Sequence, residues 1–250
     1  LELSAGDLGN GQGEETQENV QGSQPRAVEI RPRREGVAQP GHPRSHESQE
    51  KRPAEDETRG LAELLTAAST AHLTTPAGTD CRFDLSGRSG NAHDCILDRP
   101  GKFSAFPNTE ANISPVDGTA EGMIVFDGSI PNLRIGPLRV PVRCTVKQGS
   151  IGKVEGGPEA DMIRKVWAEM GDAAVYNIAQ LAIGLNPAIY MLTGVWAQDH
   201  GAFGTVHIGI GTSANLGGTT KAACHFDGMM YHPTLTLDGR VVLEGGELRI

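Results

Sequence analysis

From about residue 121 to the end of the chain, short runs alternate apolar and polar residues and are separated by Gly, Pro and Asn: GMIVFDGSI, LRIGPLRVPVRCTVKQGSIGKV, GTVHIGIG and TLTLDGRVVLEGGEL. A period of two places one set of side chains on each face of a strand, so these runs predict β-strands, many of them antiparallel. TLTLDGRVVLEGGEL reads as a hairpin with Asp238 and Gly239 in a two-residue turn, where positive φ is required at both positions. One segment keeps the helical period instead. PEADMIRKVWAEMGD sets Ala160, Ile163, Val166 and Trp167 along one face, and its acidic first turn suits the helix dipole. GLAELLTAASTAHLTT begins as a short amphipathic helix and passes into a strand at AHLTT. AAVYNIAQLAIGLNP is apolar at so many positions that its period does not choose between strand and helix. The predicted fold class is α+β, a curved, mostly antiparallel sheet with a few helices.

Residues 1–58 differ from the rest. They contain no Phe, Trp or Tyr and are dominated by Gly, Gln, Glu, Ser, Pro and Arg. Such a composition buries too little apolar surface to offset the entropy of ordering the chain. They are therefore expected to form no packed structure, as a disordered or non-native low-complexity segment, with order beginning near Arg59. Residues 59–250 are expected to form the functional domain. A regulatory tail and an unselected sequence, such as a shifted reading frame, are the two accounts of the first segment, and the second is preferred because no motif-like run stands out.

Charge and composition narrow the partners. With 22 Lys and Arg against 31 Asp and Glu, the net charge is −9, which argues against a nucleic-acid groove or an anionic membrane surface. No apolar run approaches the roughly 18–20 residues of a membrane span, and no basic-then-apolar order opens the chain, so a soluble cytoplasmic protein is expected. The four cysteines, Cys81, Cys95, Cys144 and Cys224, are irregularly spaced and read as reduced thiols. Cys224 adjoins His225, but in a strand the two side chains would point to opposite faces.

The most informative stretch for chemistry is CHFDGMMYHPTLTLDG. His225 and Asp227, two residues apart on a strand, project to one face, where an imidazole and a carboxylate can meet one cation. Phe226 would turn to the packed face, and Gly228 would ease the chain past a crowded site. An isolated His-x-Asp is common on exposed strands, so neighbours matter. His207 lies in the apolar strand GTVHIGIG, where a buried ring needs a partner, as a ligand or as a satisfied core histidine. Glu110, in FPNTEANISP, reads locally as a solvated or turn carboxylate; His93 and His232 read as surface groups or as partners of ligands. The glycines of NLGGTTK lack phosphate-loop spacing and leave nucleotide binding unsupported.

Taken in order, FPNTEANISP, DGTAEGMIVFDG, GGPEADMIRKV, IAQLAIGLNP, GTVHIGIG and CHFDGMMYHPTLTLDG resemble a superfamily with two branches. One holds the metal-dependent aminopeptidases of the aminopeptidase T type. The other is 2,5-dihydroxypyridine 5,6-dioxygenase, a ferrous-iron enzyme of nicotinic acid degradation, whose C-terminal half is similar to residues 59–248. The aminopeptidase likeness implies metal ligands at Glu110, His207, His225 and Asp227, with Gln180 where that branch has a fifth, glutamate ligand. The dioxygenase likeness implies His225 and Asp227, with Gln180 where that branch has a third, histidine ligand; His207 would then restore a two-histidine, one-carboxylate set. It also implies a divalent metal, Fe(II) before Zn, Co or Mn, with Glu110 and Gln180 as catalytic groups beside it. Both branches carry an N-terminal α/β domain ahead of the matched region, and with it a homodimer is expected. Three readings follow: a ring-cleaving non-haem iron oxygenase on a small hydroxylated aromatic or heteroaromatic, a metal-dependent aminopeptidase, and a catalytically degenerate or truncated member that keeps the fold.

Overall fold

A computed structural model describes residues 53–98, 100, 104 and 106–250. Most of the segment expected to lack packed structure, residues 1–52, lies outside the described residues. Its last six residues correct the expectation. Helix α1 runs Pro53–Ala67, ahead of Arg59, and Thr58 is fully buried. Pro53 at the first helical position, followed by Glu55 and Asp56, suits a helix N-terminus, a local signal that overall composition conceals. Arg59 donates from Nε and Nη2 to Asp94 Oδ2 at 2.9 and 2.7 Å, which pins the helix to the loop beyond the third strand.

The strands form two sheets in which every pairing is antiparallel. The larger has eight strands, in the order β13 (Glu247–Leu248), β12 (Arg240–Glu244), β11 (Thr234–Leu237), β1 (Thr70–Thr74), β2 (Asp80–Asp84), β5 (Glu121–Phe126), β6 (Val142–Lys147) and β7 (Ser150–Glu155). The smaller has five, in the order β10 (His225–Met230), β9 (Val206–Gly211), β8 (Ile178–Gly184), β4 (Glu110–Ile113) and β3 (Asn91–His93). The expected hairpin is β11–β12, with φ of 46° at Asp238 and 87° at Gly239. The Asp238 carboxylate also accepts from the backbone N–H groups of Ser69 and Thr70 at 2.9 and 2.8 Å, tying this turn to β1.

Helix α2 (Pro158–Met170) buries Ala160, Ile163 and Trp167, as its period predicts. The ambiguous apolar segment becomes a 3₁₀ turn, Ala173–Tyr176, followed by β8, whose seven residues are all buried. A strand at the centre of its sheet and covered on both faces has no polar side to reveal its period. A third short helix, α3 (Trp196–Asp199), lies in the 185–205 loop between β8 and β9.

The smaller sheet divides its side chains sharply. Ile113, Leu181, Ile183, Val206, Ile208, Ile210, Phe226 and Met230 belong to one hydrophobic cluster, shared with Leu73, Phe83, Phe126 and Cys144 of the larger sheet and with residues of α1 and α2. The intervening residues, Glu110 and Asn112, Gln180 and Ala182, His207 and Gly209, His225 and Asp227, face the other way. Register aligns them in rows: Asn112 opposite Ala182 opposite His207, and Gln180 opposite Gly209 opposite Asp227.

Candidate metal centre

Five of the polar side chains on that face meet one another and a sixth, His200, from the 185–205 loop. His225 Nε2 lies 3.1 Å from Asp227 Oδ1 and 3.1 Å from Gln180 Oε1. Asp227 Oδ2 lies 3.0 Å from Nε2 of His200, which follows α3. His207 Nε2 approaches Glu110 Oε2 at 3.6 Å, and the His200 and His207 rings meet edge-on with centroids 4.7 Å apart. Gln180 Nε2 completes the circuit, 3.4 Å from Glu110 Oε1. One ligand atom each from His200, His207 and Asp227 lies within 4.8 Å of the others.

Local chemistry explains how these groups are held. Asn132 acts as an extra rung beside β10: its Oδ1 accepts from the Asp227 N–H at 2.8 Å and its Nδ2 donates to the His225 carbonyl at 3.2 Å. A Cβ at Gly209 would stand 2.7 Å from His225 Nε2 and from Gln180 Cβ, so the glycine leaves room for both. Gly228, expected to serve that purpose, lies on the packed face instead. A Cβ there would meet the Phe126 ring at 2.3 Å, so its need is close packing of the two sheets. The 185–205 loop is anchored by the fully buried Asp199, which accepts from Ser129 Oγ, from Gly194 N at 2.7 Å and from Thr193 N at 2.8 Å.

The two buried carboxylates have unlike partners. Glu110 accepts from Asn112 Nδ2 at 2.8 Å and Asn108 Nδ2 at 3.0 Å, and His93 Nδ1 stands 3.3 Å from its Oε1. Burial opposes its ionisation, but the imidazoles of His207, His93 and His200 outweigh it and hold the carboxyl down to about 2. Asp227 is likewise held far below the usual carboxylate range, burial being outweighed by His200 and His225. Both of these rings are fixed at Nδ1 by a carbonyl, Trp196 O for His200 and Thr212 O for His225, each at 2.8 Å. A carbonyl only accepts, so each Nδ1 carries the proton and each Nε2, when the ring is neutral, turns a lone pair toward Asp227. Burial disfavours charge on these rings, yet Asp227 wins and raises the proton affinity of both. His207 goes the other way: full burial pushes it down to about 4 against the attraction of Glu110, and neither ring nitrogen has a hydrogen-bond partner among the described residues. Neutral rings would turn two lone pairs toward a carboxylate beside an orphaned buried imidazole, a donor set that a cation would satisfy together.

All five residues singled out from sequence, Glu110, Gln180, His207, His225 and Asp227, therefore lie on one face in one polar cluster. His93 is a partner of Glu110, whereas His232 is exposed. Cys224 precedes β10, and its thiol is pushed up to about 11 by burial and by nearby Asp172; Cys81, Cys144 and Cys224 are free thiols. Sequence reasoning missed His200, Asn108, Asn112 and Asn132. For His200 the local sign is a polar Gln-Asp-His triplet between Trp196 and Phe203 in a predicted loop, which is weak. The described residues contain no helix long and apolar enough to cross a membrane.

A 2,5-dihydroxypyridine 5,6-dioxygenase of Pseudomonas putida KT2440 is 27% identical over 208 residues, covering 78% of this chain and 59% of that protein. A solved structure of the 2,5-dihydroxypyridine dioxygenase of that organism matches with a TM-score of 0.72 at 23% identity, over 79% of this chain and 60% of that one. AmpT from Thermus thermophilus matches with a TM-score of 0.59 at 15% identity, over 79% of this chain and 55% of that one. At these identities the two structures share the fold. The chain spans about three fifths of the length of its curated relative, 59%. The 2,5-dihydroxypyridine 5,6-dioxygenase family matches residues 46–250, and the chain belongs to that family.

Proposed function

We propose that this chain is the metal-binding part of a non-haem iron dioxygenase that cleaves the ring of a small hydroxylated aromatic or heteroaromatic compound, of which 2,5-dihydroxypyridine is the relative's example. The observation that carries this reading is Asp227, faced at 3.0 and 3.1 Å by the Nε2 atoms of His200 and His225, both with Nδ1 already committed. Imidazoles with one carboxylate are the ligand type of ferrous oxygenases, so the residues fit the metal. Asp227, His225 and His207 would hold it. A ferrous ion there supplies open positions for O2 and for a substrate hydroxyl.

The chain's other groups set the surroundings. Glu110, tied to amides and held as an anion, is a fixed negative charge beside His207 and a poor general base near neutral pH. Gln180 links the two carboxylate regions, with its oxygen toward His225 and its amide N–H toward Glu110, and offers a donor and an acceptor to a polar ring substituent. His93, 18% exposed, stands with Nδ1 3.3 Å from Glu110 Oε1 at the wetter end of the cluster.

A second reading, a two-metal aminopeptidase, draws on Glu110 and His207 lying in one cluster with His225 and Asp227. Gln180 counts against it, because an amide lacks the charge with which carboxylates bridge two ions. Metal analysis of protein purified without oxygen, followed by oxygen-uptake assays with 2,5-dihydroxypyridine, tests both. About one iron per chain with oxygen uptake supports the oxygenase. Two zinc or cobalt ions with peptide hydrolysis support the peptidase, and absence of bound metal defeats both.

A further inference from the structure

We infer that His200 is a ligand of the same cation as His207 and Asp227, and that binding this cation fastens the 185–205 loop to the face of the smaller sheet. The inference rests on the metal-binding reading above and adds a ligand and a moving part to it.

His207 and Asp227 stand on neighbouring strands of a sheet and are fixed by its hydrogen-bond ladder. Their positions do not depend on the loop. His200 comes from outside the sheet, yet its ligand atom lies within 4.8 Å of theirs, and its ring is 5% exposed. The Trp196 carbonyl holds Nδ1 as the donor, leaving the Nε2 lone pair directed at Asp227 Oδ2, while Trp196 itself packs on the ring with centroids 4.7 Å apart. Oriented in this way, with the Trp196 carbonyl behind it fixing the ring, His200 has the form of a ligand. His207, buried without a hydrogen-bond partner among the described residues, supplies the second, independent sign of a missing positive partner. Gln180 cannot take the same part: its oxygen is uncharged and already faces His225 at 3.1 Å.

The loop is tied to the rest by Asp199 to Ser129, by Asn186 Nδ2 to the Pro107 carbonyl and by Ile189 and Leu192 packed with Met229, and His200 is its contact with Asp227 on the polar face of the sheet. With a cation bound, His200 and Asp227 both hold the ion and the loop is crosslinked to β9 and β10. Local opening of such a segment is opposed by any ligand that binds only the closed form.

The experiment uses the full chain with cobalt(II) alone, comparing the protein with His200→Gln and with His200→Ala. X-ray absorption should count one imidazole fewer around cobalt in both variants. Cleavage by protease within residues 185–205 should slow about tenfold when cobalt is added to the unaltered protein, and should change little in the variants. An unchanged imidazole count, or equal protection of the loop in His200→Gln, overturns the assignment of His200 while leaving a metal enzyme in place. Failure of the unaltered chain to bind cobalt overturns both. Loss of one imidazole and of protection, in a protein that cleaves no ring, upholds His200 and defeats only the oxygenase reading.

Discussion

Glu110 and Asp227 lie on one face of one sheet, are both about 2% exposed, and are both held as anions by nearby imidazoles, yet their hydrogen-bond donors differ. Around Glu110 the partners include amide N–H groups, which donate whatever the pH and whatever else is bound. Around Asp227 the side-chain partners are two imidazole Nε2 atoms, which donate only when the rings are charged. Neutral rings would set lone pairs against a carboxylate, and a metal ion removes that conflict. Burial and residue type leave Glu110 and Asp227 alike, and the protonation available to their neighbours tells them apart, which on the proposed reading marks Asp227 as the metal ligand.

Replacing Asp227 by Asn should break the comparison most severely. Metal content is expected to fall from about one ion per chain to none, and the metal-free protein should lose about 2–3 kcal/mol in urea unfolding as the buried imidazoles lose their counter-charge. Unaltered metal content would show that the wrong carboxylate carries the ion. Glu110→Gln should act more mildly and by another route. Donor amides would face an amide with one oxygen, at a cost of about 2 kcal/mol in the same unfolding measurement, while the ion stays bound. Loss of the ion from this variant, with retention in Asp227→Asn, would exchange the two roles.

Asp117 gives the smallest expected effect and a reference outside the site. It accepts from Arg88 Nη2 at 2.8 Å, Ser213 Oγ at 2.9 Å, Thr219 N at 3.0 Å and Thr220 Oγ1 at 2.7 Å, fastening the β9–β10 loop to the turn before β5. Burial acts against the carboxylate, but these hydrogen bonds prevail and lower its proton affinity from the ordinary 3.8. A lowered folded value means that its contribution is fully present above the ordinary value and is lost as pH falls through the folded one. Asp117→Asn should therefore cost about 1 kcal/mol at neutral pH, screening being appreciable at a side chain 20% exposed, and should flatten the acid side of the stability profile. Urea midpoints across the acid range measure it, and parallel profiles for the two proteins would rule it out.

The strands of the larger sheet, the Asp238–Gly239 hairpin and α2 were legible because each is written in a local period or a local turn requirement. The one-face placement of His225 and Asp227 was legible for the same reason, being a property of two residues on one strand. β8 was not, because with both faces buried its apolar run carries no period. The start of α1 at Pro53 was missed because a stretch judged by composition hid a helix N-terminus.

What the sequence by itself determined, then, is the sequence of elements and which side chains share a face within each, since alternation and φ preference act between near neighbours. Tertiary structure alone decided that a loop histidine, His200, meets Asp227, that Asn132 takes the place of a strand beside β10, and that Gly209 rather than Gly228 opens the site. These depend on chains brought together from distant positions, where the direction of one N–H, or the space left by one missing Cβ, is set by packing and by neighbours that no local pattern encodes.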